Sequence, residues 1–138
     1  MVLAIFAVIS AIAAPRYQSA VARARLDAAA GRVCADIGMA RSFARATSAS
    51  KTVDFGVGGS SYQLVGYQNP DRPADTYTVD LTANPYSVAL KTADFGGTAK
   101  LIFSGFGVPA QGGQIVLMNS WGSRTLTVSA TTGEVTIQ

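Results

Sequence analysis

The sequence predicts an α+β protein: one long N-terminal helix, apolar and then amphipathic, packed against a C-terminal antiparallel β-sheet domain. Three observations predict it. Residues 1–14 carry no charge. From Pro15 to about Ser50 the chain is rich in Ala and Arg, with apolar residues recurring at steps of three and four. Beyond Ser50 the period falls to two, and Gly, Ser and Thr gather at regular turns. The 138 residues suffice for one domain with a modest core.

The first element is MVLAIFAVISAIAA, in which Ser10 is the only polar side chain. A helix over residues 1–14 reaches about 21 Å, short of the ~30 Å hydrocarbon core of a bilayer. The segment therefore reads as a signal-peptide core, a buried helix, or a membrane span missing its beginning. Ala11-Ile12-Ala13 fits a small-x-small cleavage pattern, so a secreted β protein released after Ala13 is one reading. Against it, the basic start of a signal is absent and helix-forming sequence continues past Pro15. We divide the chain accordingly. Residues 1–15 form the apolar part of the helix, with Val2, Leu3, Ile5, Phe6, Val8, Ile9, Ile12 and Pro15 as the candidate attachment residues. Residues 16–50 form its amphipathic part, and residues 51–138 the β-rich part of the same domain.

In the amphipathic part Leu26, Ala30, Val33, Ile37, Ala40 and Ala44 line one face, with Phe43 beside it. Val33 and Ile37 are expected to be buried, and Arg41 and Arg45, on another face, exposed. Pro15 is expected to bend the helix gently. The Ser/Thr cluster at residues 47–50 ends it.

Eight strands are predicted after the helix: Lys51–Val57, Ser61–Tyr67, Thr76–Leu81, Tyr86–Lys91, Ala99–Phe103, Gln114–Met118, Arg124–Ser129 and Glu134–Ile137. Turn signals such as GVGGSS, QNPDRPAD, TANP, DFGGT and NSWGS separate them. Arg124-Thr-Leu-Thr-Val alternates as a half-buried antiparallel strand should. The amphipathic helix supplies the second layer that such a sheet needs.

Composition narrows the chemistry. The chain has no His and one Cys, which removes zinc sites, Ser-His-Asp triads, Cys-His dyads and an intrachain disulfide. Cys34 reads as a small buried hydrophobe. No catalytic, cofactor-binding or metal residue is assigned, and the chain reads as a non-enzyme with no cofactor. Gly56, Gly58 and Gly59 read as a hairpin turn, because no helix start and no Lys-Ser/Thr follow them. Asp71, Asp75 and Asp80 lack EF-hand order and read as a polar connection. Lys51, Lys91 and Lys100 sit at strand ends, where a Ser-Lys dyad is conceivable but solvent contact is the ordinary role. The net charge of +3 is uneven: residues 1–50 hold six arginines against Asp27 and Asp36, while the remainder is slightly acidic. Trp121, in N-S-W-G-S, either packs over the sheet or projects as a partner contact, and Arg124 beside it is the other candidate contact.

VLAIFAVISAIAAPRYQSAVARARLDAAAGRV resembles the N-terminal helix of type IV pilins and type II secretion pseudopilins. The shared parts are the apolar run, the Pro, an aromatic two positions on, and the Ala-rich continuation. LIFSGFGVPAQGGQIVLMNSWGSRTLTVSATTGEVTI is similar to the closing strands of the GspH/FimT group of minor pseudopilins and pilins. There a Phe-x-x-x-Gly segment leads to a Gly-Gly turn, an Arg-Thr-x-Thr-Val strand and Thr-Gly-x-Val. The family's basic leader and early mature residues have no counterpart here. Met1 falls inside the apolar run, as though about seven mature residues and a leader preceded it. The resemblance implies a structural minor pilin or pseudopilin of a type II secretion pseudopilus or a type IV pilus. It implies that residues 1–15 are the transmembrane or filament-core part of the helix, and that other pilin subunits, the membrane and the assembly machinery are partners. It also implies a single-pass inner-membrane location with the β domain on the periplasmic side, followed by entry into a filament. A DNA- or surface-binding minor pilin is the alternative, since some relatives take up DNA through basic residues near the C-terminus. This chain ends EVTIQ, without such a tail.

Overall fold

A computed structural model describes residues 2–138, apart from the side chains of residues 2, 3, 6 and 10–14. One helix, α1, runs unbroken over Val2–Thr47, with Pro15 inside it. At 1.5 Å per residue it extends roughly 69 Å. Its end is set by local geometry. Ser48 takes φ 49°, Ala49 N donates to Ala44 O at 3.2 Å, and Ser48 N donates to Arg45 O at 3.3 Å. That is a left-handed C-terminal cap made with serine where glycine is usual.

The stripe read from the sequence is the buried stripe. Leu26, Ala30, Val33, Ile37, Ala40 and Ala44 are all within 2% of full burial, joined by Ala29. N-terminal to Leu26 only Ser19, Val21 and Ala22 are even half-buried among the described side chains. The β domain therefore holds the second half of α1 and leaves the first half projecting.

Eight strands follow: β1 (Lys51–Asp54), β2 (Ser61–Gln68), β3 (Thr76–Asp80), β4 (Ala89–Asp94), β5 (Lys100–Phe103), β6 (Gly113–Asn119), β7 (Gly122–Val128) and β8 (Val135–Ile137). They form two four-stranded antiparallel sheets, ordered β3-β2-β1-β5 and β4-β6-β7-β8, where the sequence suggests one. The chain leaves the first sheet after β3, starts the second with β4, and returns to the first with β5 beside β1. Helix α1 packs on strands of both, chiefly β7, β1 and β6. Alternation supplies the core: Val53, Tyr62, Leu64, Leu101, Phe103, Ile115, Leu117, Leu126 and Val128 point inward.

The strand furthest from its predicted place is the fourth. The predicted Tyr86–Lys91 becomes Ala89–Asp94, because residues 83–87 close a turn, with Tyr86 N and Ser87 N both donating to Ala83 O. Those two N–H groups are spent within the turn and Ser87 takes φ 51°, which takes the backbone out of the extended conformation a strand needs. The first predicted strand is cut from Val57 back to Asp54, since Asp54 Oδ1 turns back to accept from Gly56 N at 2.8 Å. Cys34 is half-buried at the edge of the core and not fully enclosed.

Candidate functional site

Three places on the molecule show unusual exposure, and all three lie on or beside α1. The first is the projecting half of the helix. Ile5, Val8 and Ile9 are 61%, 60% and 59% exposed, and Pro15 is exposed as well. The side chains of Val2, Leu3, Phe6 and Ile12, named with them from the sequence, lie outside the described residues. An apolar face this open in one copy is a surface that solvent does not favour. Among the described residues no helix is long and apolar enough to cross a membrane.

The second place is the junction between that half and the β domain. Strands β6 and β7 are joined by the two-residue turn Ser120-Trp121, with Asn119 paired to Gly122 across it. Asn119 fixes the turn at both ends of its side chain. Its Oδ1 accepts from Trp121 N at 3.0 Å, and its Nδ2 donates to Ala22 O on the helix at 2.8 Å. Two residues along β7, Arg124 Nε donates to Asp27 Oδ1 at 2.8 Å. The hairpin tip is thus tied to α1 at two points. Trp121 is 47% exposed. With Tyr17, Gln18, Val21, Ala22 and Arg25 it lines an open groove of about 330 Å³. Of the two contact candidates read from the sequence, Trp121 faces the groove, whereas Arg124 is engaged by Asp27.

The third place is a turn at the far end of α1. Phe106 is 86% exposed, on the loop that follows β5. Arg45 Nε donates to Phe106 O and Arg41 Nε to Gly107 O, each at 3.1 Å. The expectation that both arginines stand free in solvent is corrected for Arg41, which is half-buried. Arg45 is exposed but is also spent on this loop. Both arginines reach off the helix end because the loop backbone approaches it: a Cβ on Gly105 would lie 2.7 Å from Ser48 C.

Inside the domain a polar cluster joins helix to sheet. Asp36 is 5% exposed and accepts from Tyr62 OH at 2.6 Å, Arg32 Nε at 3.1 Å and Tyr77 OH at 3.3 Å. Arg32 also hydrogen-bonds Tyr77 OH directly. Burial and the hydrogen bond to Asp36 push the Tyr62 phenol well above its ordinary range, and burial together with the Asp36 charge raises Tyr77. Burial opposes the Arg32 charge, but the Asp36 partner outweighs it and the guanidinium is held more firmly protonated. This cluster has every acceptor matched to a donor, as a structural clamp requires. Its one sequence signal is the Arg32/Asp36 spacing of four on a helix, with Asp36 at the margin of the apolar stripe.

Among the described residues no three His, Cys, Asp or Glu side chains gather to hold a metal. Lys100 Nζ meets Asp54 Oδ2 at 3.5 Å, and Lys51 Nζ sits 4.4 Å from the centre of the Phe43 ring. Those are ion-pair and cation–π contacts, not serine dyads. Asp80 accepts from Thr82 N and Oγ1, which holds its carboxyl below the usual range within its own turn.

No protein-family model and no curated protein matches the sequence. Two solved structures match the fold. Both are crystal structures of the type IV minor pilin FimU of Pseudomonas aeruginosa. The first, in space group P21, aligns with TM-score 0.61 and 17% identity over 84% of this chain and 90% of that one. The second, in space group P65, aligns with TM-score 0.57 and 16% identity over 82% and 92%. The chain therefore has a type IV pilin-like fold.

Proposed function

We propose that this protein is a non-enzymatic structural subunit of a pilin-like filament, a minor pilin or pseudopilin. One observation carries the reading. On a pilin-like fold, a single continuous helix is a core element from Leu26 to Ala44 and projects before it, with Ile5, Val8 and Ile9 exposed near its start. A helix of that kind gains stability when apolar surface is removed from water, at about 25 cal/mol per Å². Neighbouring helices of the same type offer that burial, and small residues such as Ala4 and Ala7 let backbones approach closely. Before assembly the bilayer offers it instead, with the β domain outside the cytoplasmic membrane. Val2, Leu3, Ile5, Phe6, Val8, Ile9, Ile12 and Pro15 carry attachment in this reading, residues 16–50 carry the helix into the domain, and residues 51–138 select partners. The system served is a type II secretion pseudopilus or a type IV pilus, with assembly or tip formation as the role.

The test is a charge placed on the projecting half of the helix. Val8→Asp should abolish membrane association and filament incorporation while leaving the thermal melt of the β domain unchanged. Normal incorporation of that variant would refute the reading. The alternative, a DNA- or surface-binding minor pilin, would need a basic contact surface on the β domain. Arg124, which it would use, is neutralised by Asp27. Salt-sensitive DNA binding by the chain would favour that alternative.

A further inference from the structure

We propose that the junction of helix and hairpin is a seat for anionic lipid headgroups, so that the β domain rests on the membrane surface through Trp121. The inference rests on the reading that the apolar part of α1 enters a bilayer, and it assigns a second membrane contact to the β domain itself.

Charge is the first argument. Among the described residues the ion pairs are Arg32–Asp36, Lys100–Asp54 and Arg124–Asp27. Arg16, Arg23 and Arg25 are exposed and belong to none of them. Asp27 is the only acid in residues 1–35, and it is occupied by Arg124. Arg16 and Arg23 are seven residues apart and share a helix face, while Arg25 lies half a turn away. The cations therefore occupy two opposite faces of the helix, about 3, 14 and 17 Å along its axis past Ala14. Unmatched guanidinium groups are complementary to phosphate-bearing headgroups and not to another basic helix.

Position is the second argument. Tyr17 is 73% exposed, and Trp121 lines the same groove with Arg25. Amphipathic aromatic rings at this level are what a membrane interface favours. Tyr17 lies about 4.5 Å along the axis past Ala14, and Val21, beside Trp121, about 10 Å. The headgroup layer is about 5–8 Å thick on each side. Tyr17 and Arg16 thus fall inside it. A helix tilt of about 20° lowers the hairpin side by a few ångströms and brings Trp121 to its outer part. The Asn119–Ala22 and Arg124–Asp27 ties keep the ring at that height, because the hairpin cannot swing away from the helix without breaking both.

Trp121 is the sole tryptophan, so its fluorescence reports this contact alone. The full chain is mixed with vesicles of phosphatidylcholine and with vesicles of phosphatidylcholine and phosphatidylglycerol. Trp121 emission should shift to the blue and be quenched by lipids brominated near the headgroup end of the acyl chain, more strongly on the anionic vesicles. Arg16→Gln should bind anionic vesicles about fivefold more weakly, with binding to phosphatidylcholine unchanged, and adding Arg23→Gln and Arg25→Gln, at about 14 and 17 Å past Ala14, should weaken it by a smaller further factor each. If the chain sediments with vesicles but Trp121 emission and quenching stay as in free protein, the lipid seat is wrong, the anchoring reading stands, and the groove faces another subunit. If it sediments with neither vesicle, the anchoring reading falls and the seat with it.

Discussion

The two halves of α1 have similar local preferences and opposite circumstances. From Leu26 to Ala44 the helix is built into a core, with seven apolar side chains at 2% exposure or less. Before Leu26 the described side chains are mostly open to solvent. Isolated helices gain little from propensity alone, since nucleation is costly and most helical stability in proteins comes from packing. The C-terminal half has its packing within the molecule, on β1, β6 and β7. The described side chains of the N-terminal half have little such packing within the molecule. The difference teaches that one helix can hold two environments: a core where the sheets cover it, and an open surface where they do not.

The sharpest way to break the comparison is to place the same charge in each half. Val33 is fully buried between α1 and the sheets, so Val33→Asp should unfold the domain at a cost of more than about 4 kcal/mol. A cooperative melt near the wild-type temperature would contradict this. Val8→Asp, on the exposed half, should leave that melt unchanged.

Truncation locates the boundary between the halves. Removing residues 1–27 takes away Leu26, which is fully buried, together with the Ala22 and Asp27 ties. It should cost about 3 kcal/mol or more, by the scale of core leucine deletions. Removing residues 1–20 spares all three and should give a domain of nearly full stability which, on the proposed function, enters neither membrane nor filament. Equal denaturation midpoints for the two truncations would place the boundary wrongly.

Within the folded half, Asp36 is the residue on which helix and sheet agree. Asp36→Ala leaves the Tyr62 hydroxyl and the Arg32 guanidinium without their acceptor, and should cost about 3 kcal/mol in urea unfolding. Tyr62 and Tyr77 add a pH signature. Both phenols have folded pKa values above the unfolded value of about 10, so the folded state holds its protons where the unfolded state has lost them. Stability is then full below pH ~10 and falls as pH rises beyond it. Tyr62→Phe should flatten that fall. A wild-type midpoint independent of pH from about 9 to 11 would refute the account.

The smallest effect belongs to the tie between the halves. Arg124 and Asp27 are both partly exposed, and their ion pair should be worth no more than about 1 kcal/mol in a double-mutant cycle. A coupling several times larger would mean that the junction is part of the core and not a fastening on its surface.

Much of this division is legible in the sequence. Six positions of the buried stripe follow from the 3.6-residue period, because a helix repeats its environment at short range. All eight strands have a counterpart in the sequence pattern, because Gly, Pro and Asn mark turns by local chemistry. The partition into two sheets does not. It depends on where β4 and β5 land, and strand pairing is a long-range choice that alternation does not encode. The Asp36 cluster is hidden for the same reason. Arg32 and Asp36 are visible together on the helix, but Tyr62 and Tyr77 come from β2 and β3, and no local pattern assigns their hydroxyl groups to a carboxylate on α1. Arg41 departs from expectation because a helical wheel shows which face a residue occupies, not the loop carbonyl within its reach.

The turn at the far end of α1 has a consequence for variation. Its fastening runs through main-chain carbonyls, so the identity of the side chain at 106 is free while its neighbours are not. Gly105 has Ser48 C within 2.7 Å of any added Cβ, and Gly107 holds φ 75° with the Arg45 side chain pressed against the place such an atom would take. In a saturation library selected only for folding, positions 105 and 107 should return glycine and position 106 nearly any residue. The same library selected for assembly would then show, by the single change in tolerance at 106, whether the exposed phenylalanine is read by a partner.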